Sequence, residues 1–143
     1  MITKQLSVFV ENKKGRLADI ANLLSENDID ISALSLADTT EFGVLRLIVN
    51  KPDLAKKLLN ESGVIVKITD VLAVVLDDAP GGAAKVIELL SNNDISIEYM
   101  YAYAAKITGK AIMIAKTENI EKVNSLLSDN GFEDVKPTDI FKL

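Results

Sequence analysis

Two short turns hold most of the chemistry this chain offers. They are Asn12-Lys13-Lys14-Gly15-Arg16-Leu17 and Asp78-Ala79-Pro80-Gly81-Gly82-Ala83. Apolar residues at helical spacing follow each one: Leu17, Ile20, Ala21 and Leu24 after the first, Val86, Ile87 and Leu90 after the second. Each turn therefore opens a helix. Gly15 and Gly81 let the backbone turn sharply and come close to a ligand. The first amides of a helix lack partners and favour a carboxylate. Asn12 and Asp78 carry oxygens that accept from an ammonium, and both types are equally at home as plain turn or capping residues. Lys13, Lys14 and Arg16 make the first turn positive, which either draws an anion or simply solvates the loop.

The two turns belong to an internal repeat. Glu11 to Leu36 aligns without a gap to Asp77 to Ala102, sixty-six residues later. Nine of 26 positions are identical: Gly15/Gly81, Ala18/Ala84, Leu23/Leu89, Leu24/Leu90, Ser25/Ser91, Asn27/Asn93, Asp28/Asp94, Ile29/Ile95 and Ile31/Ile97. Gly43 and Gly109 keep the same period, and small slips later align Lys57–Gly63 with Ser125–Gly131. A fixed period means two copies of one structural unit. The expected division is residues 1–69 and 70–143.

Within the first copy, Leu6, Val8 and Val10 alternate with Gln5, Ser7 and Phe9, a strand pattern. The helix after Gly15 stops at Asn27-Asp28. Strands are expected over Ile29–Ala37, Val44–Val49 and Val64–Ile68, with a turn at Asp38–Phe42. Pro52 opens a second helix with inner residues Leu54, Ala55, Leu58 and Leu59, and Gly63 ends it. The order is β-α-β-β-α-β, a ferredoxin-like split unit. The second copy repeats it with strands at Val71–Leu76, Glu98–Ala104 and Ala111–Ala115. Its last helix is striped by Ile120, Val123, Leu126 and Leu127. A fourth strand is expected around Phe132–Lys136, and Ile140–Leu143 reads as a strand stub. Asp28 and Asp94 read as turn residues.

Composition narrows the function. The chain has 143 residues, 48% hydrophobic and 26% charged, with net charge −5. That is a folded rather than a disordered composition. It has no His, no Cys and no Trp. The usual general base, thiolate nucleophile and thiolate metal site are missing. No nucleophile motif, phosphate loop or acylphosphatase-like Arg-plus-Asn arrangement is present, so no enzyme and no cofactor is expected. The negative balance repels a phosphate backbone. The longest apolar run, Tyr99 to Ala105, is far short of the roughly 18 residues a membrane span needs. No signal peptide opens the chain, so the expected location is the cytoplasm, with neither nucleic acid nor membrane as partner.

The turns, seen inside two βαββαβ units, resemble the ACT domain, a regulatory module that binds amino acids beside metabolic enzymes. The family pattern is roughly Asp/Asn-x-Pro-Gly-x-Leu. The first copy matches at Asn12, Gly15 and Leu17 and departs at Lys14; the second matches at Asp78, Pro80 and Gly81 and departs at Ala83. The resemblance covers essentially the whole chain, twice. It implies an α+β fold of two units paired through their second strands into an eight-stranded antiparallel sheet with helices on one face. It also implies a free amino acid at the seam. The site residues it implies are Asn12, Lys14, Gly15, Arg16 and Leu17 from one turn and Asp78, Pro80, Gly81, Gly82 and Ala83 from the other, with Asp30 and Ser96 from the facing strands. The leading function is amino-acid sensing and regulation. The alternative is a ligand-free interaction subunit of an enzyme of amino-acid metabolism.

Tyr99, Tyr101 and Tyr103 are all the tyrosines of the chain, and their alternation puts them on one strand face. Leu34, Leu36, Met100 and Ala102 should face the helices, leaving the tyrosines on the open side. Val71–Leu76, Val44–Val49 and Ala111–Ala115 are largely apolar on both faces, so that open side needs a cover. A homodimer through the tyrosine face is the expectation. Base stacking, as in RNA-binding sheets, is disfavoured by the charge, and plain cross-strand packing stays open.

Overall fold

The computed structural model describes residues 1–11, 13–38, 42–136 and 139–141. They form two compact units: Lys4–Thr69, and Asp70–Leu143 together with Met1–Thr3. Two strands, β1 (Ile2–Glu11) and β4 (Ile65–Asp77), run through the boundary between them.

The first unit adds helix α1 (Arg16–Glu26), strands β2 (Ile31–Asp38) and β3 (Phe42–Val49), and helix α2 (Pro52–Glu61). Antiparallel pairing sets Leu6 opposite Leu47 and Val8 opposite Leu45, while Leu34 and Leu36 of β2 meet the same two β3 residues. These leucines and valines share one face. Leu6, Val8 and Leu47 are buried there with Ile20 and Leu24 of α1 and Ala55 and Leu59 of α2. Full burial of a side chain such as Leu24 contributes about 1.5–3 kcal/mol, and truncating it to Ala costs about 2–5 kcal/mol.

The second unit has helix α3 (Gly82–Asn92), strands β5 (Ile97–Ala104) and β6 (Lys110–Thr117), and helix α4 (Ile120–Asp129). Its core joins Leu72, Val74 and Leu76 of β4 and Met113 of β6 to Val86, Leu90, Val123 and Leu127 of the helices. The repeat holds in fine detail. Gly15 and Gly81 both have φ 89, and Asp28 and Asp94 both have φ 55. The Asn27 and Asn93 amides each donate to the carbonyl four residues back, both at 2.8 Å. The pairing of β2 is irregular between Ile31 and Ala33, that of β5 between Ile97 and Tyr99.

Three expectations are corrected. The described strands number six, in hydrogen-bonded order β2-β3-β1-β4-β6-β5, where eight were expected. Val64–Ile68 and Val71–Leu76 fuse into one 13-residue strand, because Lys67 to Val71 holds no glycine or proline to break it. Phe132–Lys136 forms no strand. Met1–Thr3 lies beside β4 in its place: the Ala73 amide donates to the Met1 carbonyl at 2.8 Å, and the Met1 amine pairs with Asp134. The segment after α4 is held instead by Val135 and Ile140, both buried. Of the expected tail stub, Ile140 and Phe141 form a turn, and residues 142 and 143 lie outside the described ones, as does most of the expected Asp38–Phe42 turn.

The expected pairing of β2 with β5 does not occur within the chain, since they are the two ends of the strand order. The face expected to be open is buried in part, although Phe9 on it is 46% exposed. Tyr101 and Tyr103 stand opposite Ile114 and Ile112 on the side away from the helices. Yet Ile112 and Ile114 are about fully buried at 1% and 0% exposure, and Ile48, Val71 and Ala73 are buried too. The three tyrosines are half-buried.

Candidate functional site

The two turns have the same backbone. Gly15 and Gly81 cap α1 and α3 in the left-handed region, and among the described residues no side chain caps either helix start. Main-chain oxygens serve part of the first turn: Arg16 N donates to Lys13 O at 3.3 Å and Gly82 N to Ala79 O at 3.0 Å. Substituted glycine at 15 or 81 meets no atom within 4 Å, so the requirement there is the backbone angle alone. Gly82 is different. A Cβ on it would lie 2.0 Å from the Asp77 carbonyl oxygen, so close packing explains this glycine.

Lys14, Arg16 and Leu17 are exposed around Gly15, and Asp78, Pro80 and Ala83 around Gly81, while Gly82 is buried. Asn12 lies outside the described residues. The Asp78 amide donates to Gly109 O at 2.9 Å, which ties the second turn to the start of β6. Asp30 and Ser96 are exposed and precede β2 and β5. Asp30 is pinned to the end of β3: its amide donates to Asn50 Oδ1 at 3.0 Å, and the Asn50 amide returns to Asp30 O at 3.2 Å. An 11-residue helix separates each turn from the second-strand start of its own unit. At about 1.5 Å per residue that is roughly 16 Å. Neither unit alone brings its turn to its own Asp30 or Ser96.

The second-strand starts share a feature that sequence reasoning missed. A shallow concavity of about 360 Å³ is lined by Ala21, Ser25, Asp28, Ile29, Asp30 and Ile31. One of about 400 Å³ in the other unit is lined by Ile87, Ser91, Asp94, Ile95, Ser96 and Ile97, the same six positions one period on. Asp28 is the more committed acid, with Lys51 Nζ 3.2 Å from its Oδ2.

Charges at the strand ends were also missed. Glu11 and Asp77 are repeat partners, and each meets two cations. Lys13 Nζ sits 2.8 Å from Glu11 and the Arg16 guanidinium 3.9 Å away. Hydrogen bonding and charge from Lys13 hold the Glu11 carboxyl below its usual range. Lys110 Nζ is 2.7 Å from Asp77 and Lys85 Nζ 3.9 Å. The Lys110 bond lowers the Asp77 pKa and raises that of Lys110. A cavity of about 350 Å³ opens here, lined by Val75 to Asp77, Gly82, Lys85, Lys110 and Asn130 to Glu133. The signal was the strand-end acid itself, present in both copies. Its cations come from different places in the two units, so no spacing pattern predicts them. Among the described residues no cluster of His, Cys, Asp and Glu fits a metal ion, and no helix is long and apolar enough to cross a membrane.

Comparison with known proteins matches this architecture. The family model for the ACT domain pair covers residues 1–143. The chain belongs to the ACT domain family. ACT domains are regulatory rather than catalytic, and as a family they bind amino acids. The crystal structure of protein BT0572 from Bacteroides thetaiotaomicron is similar at 38% identity and a TM-score of 0.93, over 100% of this chain and 98% of that one. The regulatory subunit of aspartate kinase from Thermus thermophilus shares the ACT fold at 13% identity and a TM-score of 0.63, over 92% and 97% of the two chains. The corresponding subunit from Thermus flavus does so at 14% and 0.59, over 90% and 91%. No curated protein matches the chain.

Proposed function

We propose that this ACT pair is an amino-acid sensor that regulates an enzyme of amino-acid metabolism. The carrying observation is the duplication of the site elements. Both units present a helix start with a left-handed glycine and, among the described residues, no side-chain cap, and both repeat one six-position concavity at the second-strand start. The ligand carboxylate sits on the amides after Gly15 or Gly81, where the helix dipole favours an anion. Asn12 or Asp78 meets the ammonium. Asp30 or Ser96 completes the pocket from a facing strand, which a second copy supplies. Among the described residues β2 pairs only with β3 and β5 only with β6, so each has an edge to offer. Lys14, Arg16, Leu17, Pro80, Gly82 and Ala83 shape the two turns. Regulation beside an enzyme fits the description of the two Thermus neighbours as regulatory subunits.

Screening the standard amino acids for thermal stabilisation tests this. A ligand at 100 times its Kd adds about 2.7 kcal/mol, a melting shift of roughly 5–10 °C for a chain near this size. Gly81→Val puts a β-branched residue at φ 89, strained by about 1–2 kcal/mol, and should remove binding at that turn while the unit stays folded. The second reading is a subunit whose pockets stay empty. The exposed edge residues Leu34, Leu36 and Met100 favour it, because they suit protein contact with no small ligand. A screen in which no amino acid moves the melting point at millimolar concentration selects that reading.

A further inference from the structure

The duplication supplies its own control, because the two copies diverge most sharply beside one helix start. At the α3 start the second unit has Gly82 where the first has Arg16, Lys85 where it has Asp19, and Lys110 where it has Val44. With the later slip, Glu133 stands where the first unit has Ile65. All four second-unit residues line the cavity of about 350 Å³. The first unit's counterpart is a groove of about 430 Å³ along α1 and α2, with no strand-end residue in its lining. The missing side chain at 82 is enforced, since any Cβ would collide with the Asp77 carbonyl.

The charges in the cavity are unevenly committed. Lys110 is hydrogen-bonded to Asp77 at 2.7 Å. Lys85 stands 3.9 Å from the same carboxylate, beyond hydrogen-bond reach, so its ammonium keeps its donors. Glu133 makes no hydrogen bond or ion pair among the described residues; after Asp77, its charge also raises the Lys110 pKa. Two lysines and two acids balance, so a net ion gains little and a ligand with both charges gains most. Val75, Leu76 and Phe132 give the same cavity an apolar wall. Its volume lies at the lower end of the roughly 300–1,000 Å³ seen for small-molecule sites.

We propose that this cavity is a second amino-acid site, complete within one unit and absent from the other. The ligand carboxylate bonds Lys85 and Lys110, its ammonium bonds Glu133, and its side chain lies on Phe132. The proposal rests on the amino-acid reading above but not on the facing strand of a second copy. The test is calorimetric titration of the intact protein with the amino acid that most raises its melting point. Variants are Lys85→Met and Glu133→Gln at the cavity, Asp30→Ala and Ser96→Ala at the second-strand starts, and Lys122→Met as a surface control. Lys85→Met leaves the Lys110–Asp77 pair in place, so it should fold.

The expected result is one binding event per chain that weakens about tenfold or more in Lys85→Met and Glu133→Gln, the worth of one charge-assisted bond. That event should persist in Asp30→Ala, Ser96→Ala and Lys122→Met. If every binding event survives the cavity variants and is lost with Asp30 or Ser96, the cavity site is overturned while the sensor reading stands. If Lys122→Met weakens binding as much as Lys85→Met, the effect is bulk charge and the cavity site fails. If no amino acid binds the unmodified protein, both readings fall together.

Discussion

Gly81 and Gly82 are neighbours of one type held for opposite reasons. Gly81 needs freedom of angle; Gly82 needs the absence of a side chain. Gly82→Ala should therefore destabilise the protein by about 2–3 kcal/mol, the cost of forcing a methyl against backbone. Urea denaturation would show it, and a change under about 0.5 kcal/mol would contradict the packing account. Among the described residues, the buried hydroxyl of Tyr103 has no hydrogen-bond partner. Burial pushes its pKa up to about 12. Its neutral form is thus favoured by folding: that stability is full below the ordinary value near 10 and is lost as pH rises from about 10 towards 12. Tyr103→Phe should remove the late phenolate step in an alkaline absorbance titration. At neutral pH it should leave stability equal or raise it by about 1 kcal/mol, since an unsatisfied hydroxyl is deleted. At this scale the sequence made the turns legible, because a left-handed glycine before a helix leaves a local signature. It hid Lys85, Lys110 and Glu133, whose meeting depends on three distant elements closing on Asp77.

Helices were the most legible elements. Leu24 and its repeat partner Leu90 mark buried stripes that the 3.6-residue period exposes directly. Strands were less so. Nothing local says whether Ile65 to Asp77 is one strand or two, and nothing in Phe132–Lys136 reveals that Met1–Thr3 already lies beside β4. The apolar residues of β6 looked open on one side, yet Ile112 and Ile114 there are buried. Among the exposed apolar residues are three on the helix side of the edge strands: Leu34 at 63% and Leu36 at 48% on β2, Met100 at 40% on β5. Edge strands with exposed apolar residues are pairing surfaces. Leu34→Glu should thus leave thermal stability at low concentration within about 0.5 kcal/mol, as a surface change does. It should also lower the average mass by light scattering at high concentration. An unchanged mass would mean that β2 is not the assembly edge.

At the scale of the molecule, the proposed ligand site carries a linkage between binding and assembly. In each unit the turn and the second-strand start sit at opposite ends of one helix, and β2 and β5 occupy opposite ends of the strand order. On the proposed reading, in which a second copy supplies the facing strand, a ligand held by a turn and by Asp30 or Ser96 draws on two copies of the chain. Binding and assembly must then raise one another by the same factor, because coupling free energy is reciprocal. Sedimentation at fixed protein concentration should show the dimer fraction rising with the amino acid. Titration at increasing protein concentration should show the affinity rising in step. The cavity beside Asp77 takes no residue from a second copy, so Lys85→Met should leave this linkage intact while Asp30→Ala or Ser96→Ala weakens it. A ligand that binds tightly yet leaves the dimer fraction flat, across concentrations where both species are present, would show that no facing strand takes part in binding.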